Sequence, residues 1–167
     1  MPSAWTLLCA SLYARLHIDR SSSGASWNQT FGGAISVDAI EADLGGYPED
    51  AHVVLHVTHT FVPEQCNATV GRGSTVGVYY TCSIADDSEA GQPGTLIANN
   101  SADSEPLYVL VGVGEIVRGW ELGLIGLCEG EGVTLRVPPE LAFGDHGDGG
   151  AIPPRATLTF STRVTNC

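Results

Sequence analysis

Residues 74–82 read STVGVYYTC, a run in which Val76, Val78 and Tyr80 alternate with Gly77, Tyr79 and Thr81. A period of two puts the first three on one face of a strand and leaves the other face half polar. The same texture recurs in residues 52–62 (HVVLHVTHTFV), 107–111, 133–137 and 157–164, the last setting Leu158, Phe160 and Val164 against Thr159, Ser161 and Arg163. Val and Thr branch at Cβ, are stiff at χ1, and fit a pleated strand better than a helix. Strands with one polar face build an antiparallel sheet covered on one side. A single segment, residues 115–124 (EIVRGWELGL), carries Val117, Trp120 and Leu124 at i, i+3 and i+7, which predicts one short helix with its indole against the sheet. Gly119 and Gly123 lower its propensity by about 1 kcal/mol each relative to Ala, so packing must hold it. The expected class is α+β.

The chain has 167 residues, 43% of them apolar, enough for one core. Its β-rich part begins near Ala51, which sets the expected domain at residues 51–167. Residues 1–14 (MPSAWTLLCASLYA) are apolar ahead of Arg15 and read as a secretory leader ending near Ala10 or Ala14. No basic n-region precedes them, so a truncated start or an amphipathic tail packed on the domain is the other reading. Residues 21–33 (SSSGASWNQTFGG) read as a flexible linker, with Trp27 and Phe31 available for docking. Val37, Ile40 and Leu44 lie between a Ser36 N-cap and a Gly45-Gly46 stop, which predicts a second short helix.

The net charge of −12 repels phosphate backbones and anionic lipid, so nucleic acid is not an expected partner. All seven basic residues are Arg, which excludes lysine-dependent phosphate loops, Schiff bases and kinase sites. No stretch approaches the roughly 20 apolar residues of a membrane span, and none is expected.

Four blocks resemble the FKBP-type peptidyl-prolyl isomerases, the immunophilins. They are residues 73–81 (GSTVGVYYT), 112–126 (GVGEIVRGWELGLIG), 137–144 (VPPELAFG) and 150–160 (GAIPPRATLTF). They stand in family order and spacing, with one longer insert after Thr81. The resemblance implies a twisted antiparallel sheet wrapped around one short helix. It also implies isomerisation of X-Pro bonds in proline-containing polypeptide clients, with macrolides as possible ligands. Carried over by position, the cleft floor is Trp120, the other catalytic positions are Tyr80, Phe143 and Phe160, and the substrate-binding walls are Ile97, Leu107, Ile116, Val117 and Ile152. Desolvation and positioning suffice for such chemistry, so neither metal nor cofactor is expected.

Departures from the family pattern cluster at the cleft's polar rim. In residues 93–107 (PGTLIANNSADSEPL), Ile97 and Ala98 replace the usual Phe-Asp pair, and Asp103 stands where a basic residue is usual. Ala98 offers no acceptor to the Tyr80 hydroxyl. Phe143 replaces a Tyr that bonds the ligand's carbonyl, a loss of about 0.5 to 1.5 kcal/mol. Reduced activity and weaker macrolide binding are expected; the alternative is a chaperone or interaction module of the same fold with little turnover.

Cys9 lies in the possible leader; of the other cysteines, Cys66 and Cys128 match a disulfide pair of secretory-pathway members of the family, while Cys82 and Cys167 are left unpaired. Asn28, Asn67 and Asn99 each begin an N-x-Ser/Thr triplet. Together with the leader these favour the secretory pathway, in the endoplasmic reticulum lumen or beyond it by secretion. The final Thr165, Asn166 and Cys167 do not form a retention tetrapeptide. His52, His56 and His59 read as solvated strand histidines. Asp145, His146 and Asp148 lack calcium-loop spacing and read as a flexible rim loop, and Asp86, Asp87 and Glu89 as a solvated hairpin tip.

Overall fold

A computed structural model describes residues 37–42, 53–100 and 104–167. The leader, the linker with Trp27 and Phe31, His52, Asn28 and Asp103 fall outside those residues. Among the described residues seven strands form one sheet: β1 (Val37–Ala42), β2 (Val53–Phe61), β3 (Thr75–Ile84), β4 (Leu96–Asn100), β5 (Leu107–Leu110), β6 (Gly132–Val137) and β7 (Leu158–Asn166). Their order is β1-β2-β6-β7-β3-β4, every pairing is antiparallel, and β5 joins the same edge of β3 beyond β4. One helix, α1 (Arg118–Leu124), lies between β5 and β6. Among the described residues no helix is long and apolar enough to cross a membrane.

The alternation in β3 becomes burial of Val76, Val78, Cys82 and Ile84 beneath the sheet, with Tyr80 half-buried in the same row. Leu55 and Val57 of β2, Val133 and Leu135 of β6, and Leu158, Phe160 and Val164 of β7 add to the core, which α1 completes with Trp120 and Leu124. The helix fits closely because it lacks side chains where it meets β6. A Cβ on Gly119 would sit 2.3 Å from Val137 Cγ1, and one on Gly123 2.5 Å from Leu135 Cδ1.

Three expectations are corrected. Residues 37–42 form a strand rather than a helix, with Val37 opposite Thr58 and Ala42 opposite Val53. The sheet therefore extends upstream of residue 51. Residues 96–100, given no element from sequence, form edge strand β4 against β3. His59 is buried rather than solvated: its Nδ1 lies 2.5 Å from Glu131 Oε1, and Glu131 Oε2 accepts the Cys128 N–H at 2.7 Å. A carboxylate 72 residues away makes burial of this imidazole tolerable.

Cys66 and Cys128 form a disulfide with Cα atoms 5.4 Å apart. Next to it Thr69 and Cys128 make an isolated antiparallel bridge. Cys82 is a buried free thiol. Burial among apolar neighbours pushes the Cys82 thiol up to about 11.

Candidate active site

The helix begins at Arg118, three residues later than its periodicity suggests, because the preceding turn is organised by a side chain from within it. Glu121 Oε1 accepts the backbone N–H groups of Gly112, Val113 and Gly114 at 2.7, 3.0 and 3.1 Å. This anchor fixes the segment that carries Ile116 and Val117, and it delivers Trp120 to the underside of β3 and β7.

There the indole touches two rings. Its centroid is 4.7 Å from that of Tyr80, at a tilt of 45°, and 5.1 Å from that of Phe160, nearly parallel at 18°. The indole N–H donates to Thr162 Oγ1 at 3.0 Å. Trp120 keeps 4% of its surface accessible, so the ring is turned away from bulk solvent. Register explains the grouping: Tyr80 faces Thr162 across the β3–β7 pair, and Phe160 faces Leu135 of β6 on its other side. Thr162 was missed by sequence reading, because only the strand register shows which hydroxyl meets the indole.

Ile152 is buried in the same cluster, and Ile97, Ile116 and Val117 pack against it half-buried. Phe143 and Leu107 are more exposed, at 36% and 39%. Ile152 is positioned by Asp148, whose Oδ1 accepts its N–H and that of Gly150, both at 2.8 Å. Those two bonds lower the Asp148 pKa below the ordinary carboxylate value. Arg155, at φ 60°, closes the loop with an ion pair to Asp145 at 3.1 Å.

At the rim, Ala98 lies opposite Cys82 and brings no acceptor, and no described residue accepts a hydrogen bond from the Tyr80 hydroxyl. Asn100 ties the strands instead, taking the Tyr80 N–H on Oδ1 at 2.8 Å and donating to Val78 O at 3.0 Å. On the outer face of the sheet, an open groove of about 350 Å³ is lined by Phe61, Tyr79, Thr81, Thr134, Ser161 and Arg163 among others; it does not contain Trp120.

Residues 66–165 match the profile of the FKBP-type peptidyl-prolyl cis-trans isomerase family. An "FK506-binding protein 2" of Yarrowia lipolytica is 36% identical over 116 residues, covering 70% of this chain and 76% of the relative. One from Candida glabrata is 36% identical over 112 residues, covering 67% and 78%. The crystal structure of AtFKBP13 superposes with a TM-score of 0.55 at 27% identity, covering 65% of this chain and 89% of that one. An antiparallel sheet closed over one short helix, with Trp120 stacked beneath it, and a profile match over 100 residues lead to one conclusion. The chain belongs to the FKBP-type peptidyl-prolyl cis-trans isomerases, a family of enzymes that act on proline-containing polypeptides.

Proposed function

We propose that this isomerase seats the prolyl ring of a client on the Trp120 indole, with Tyr80, Phe143 and Phe160 around it and Ile97, Leu107, Ile116, Val117 and Ile152 as apolar walls. The observation that carries this reading is the Tyr80–Trp120–Phe160 contact with the indole nitrogen tied down by Thr162. An X-Pro amide resists rotation by about 18 to 20 kcal/mol, because resonance places charge on oxygen and double-bond character on C–N. Water favours that charge-separated planar state. An apolar cleft withdraws water from it and holds the ring while the bond twists. No nucleophile enters the step.

Activity is reduced because the polar fastening of the rim is thin. One missing hydrogen bond of about 0.5 to 1.5 kcal/mol, realised in the transition state, slows turnover by roughly two- to tenfold. Macrolide ligands bind more weakly for the same reason. The exposed Phe143 and Leu107 favour a second reading, an apolar rim that holds chains without turning them over. A protease-coupled proline-peptide assay on the full chain separates the two. A rate above buffer at micromolar protein, suppressed by a macrolide, is expected; no rate above buffer leaves only the second reading. The compartment we infer is the secretory lumen, supported by the Cys66–Cys128 disulfide, the N-x-Ser/Thr triplets and the apolar first residues.

A further inference from the structure

We propose that Asn67 is an N-glycosylation site. This rests on the secretory reading, since only a lumenal chain meets the transferring enzyme. Asn67-Ala68-Thr69 has the acceptor form, with no Pro in the middle position. Asn67 is exposed in the irregular connection between β2 and β3, directly after Cys66. The other triplets are less favourable or fall outside the described residues. Asn99 sits inside β4 with Thr81 opposite it in register, and its Ser101 lies outside the described residues, as does Asn28.

The reaction balances with a lipid-pyrophosphate-linked oligosaccharide as donor. The Asn67 side-chain nitrogen attacks C1 of the donor sugar and forms a C–N bond. The C–O bond to pyrophosphate breaks and takes its electron pair, and the amide gives up one proton. Transfer needs an extended acceptor, and chain order supplies it. Cys128 lies 62 residues after Cys66, so the triplet enters the lumen before its neighbouring cysteine can be bridged. Once folded, Thr69 pairs with Cys128 and the Val70 N–H donates to Leu127 O, which removes the triplet from any later reaction.

The folded state accommodates the product. Asn67 faces solvent while Ala68 and Thr69 are half-buried, so the sugar projects outward. Cys128 follows the C-terminal end of α1, whereas Ile116 and Val117 precede its N-terminus. A helix of seven residues spans about 10 Å, so the glycan stands at the end of α1 remote from the cleft.

The test delivers the full chain into the lumen of a eukaryotic cell behind a cleavable secretion signal. Chain carrying the Cys66–Cys128 bridge is then recovered and mapped by mass spectrometry. The expected result is a glycan on the Asn67 peptide that peptide N-glycosidase removes, leaving Asp. Asn67→Gln and Thr69→Ala should lose the glycan, Thr69→Ser should keep it, and prolyl turnover should match with and without it. Bridged chain with unmodified Asn67 overturns the proposal. A second arm without the added signal tests the compartment reading separately: chain that stays outside the lumen there defeats that reading and leaves the result at Asn67 unaffected.

Discussion

The indole N–H of Trp120 ends on Thr162 Oγ1, and both residues are buried, so neither has water as a substitute partner. Thr162→Val keeps the shape of the side chain and orphans the N–H, at about 1 to 3 kcal/mol. A lower urea midpoint is expected, with kcat/KM reduced at temperatures where the variant stays folded; an unchanged kcat/KM would show that this bond does not aim the ring. Ala98 and Phe143 allow the opposite experiment. Ala98→Asp with Phe143→Tyr restores an acceptor near Tyr80 and a hydroxyl at the rim, and should raise turnover severalfold in the proline-peptide assay. An identical rate removes the rim as the cause of low activity. Cys82 provides a residue-scale test of burial. Its folded pKa is raised from 9.0 to about 11, so the thiol's contribution to stability is complete below pH 9 and is lost as pH climbs from 9 toward 11. A thiol reagent at pH 8, with its sites mapped by mass spectrometry, should label Cys82 only when the chain is unfolded; fast labelling of Cys82 itself in the native protein would contradict its burial.

Elements show where competing local preferences were decided. On α1 an added methyl group has two opposed effects. Gly119→Ala gains about 1 kcal/mol of helix propensity. Its Cβ would meet Val137 Cγ1 at 2.3 Å, and overpacking of that kind costs about 1 to 3 kcal/mol. The net expectation is a less stable protein by thermal melting, whereas a rise in Tm would mean that α1 can back away from β6. The strands were legible because alternation of Val, Leu and Phe with Thr, Ser and Tyr is a local property. The strand at Val37–Ala42 was not: Val37 and Ile40 satisfy helical spacing, and pairing with β2 overrode it. Edge strand β4 is five residues long and ends in two Asn, too short and polar for its alternation to register. The helix and its Trp were readable, but the anchoring by Glu121 was hidden in a turn whose three N–H groups converge only in the fold. Resemblance named the aromatic positions, while register decided that Trp120 is flanked by Tyr80 and Phe160 and leaves Phe143 and Leu107 at the surface.

At the scale of the molecule, the disulfide links the two ends of the stretch that holds β3, β4, β5 and α1, while β1, β2, β6 and β7 complete the sheet from outside that loop. Two pairings, β2 with β6 and β3 with β7, join strands distant in sequence, so ordering them costs much chain entropy. A bridge across 62 residues removes part of that cost from the unfolded ensemble, by about 4 kcal/mol on the chain-entropy account. Set against the roughly 5 to 15 kcal/mol of a typical domain, that is a large share. A net charge of −12 works the other way, by self-repulsion in the compact state, and makes the bridge matter most at low salt. Cys66→Ala with Cys128→Ala should therefore lower unfolding free energy by about 4 kcal/mol in urea, and reduced wild-type protein should show the same loss. The bridge lies beyond the end of α1 remote from Ile116 and Val117, so turnover per folded molecule should hold at temperatures well below the variant's melting point. A stability loss much below 1 kcal/mol would mean that the unfolded chain already keeps these segments together, and the entropic role assigned to the bridge would fail.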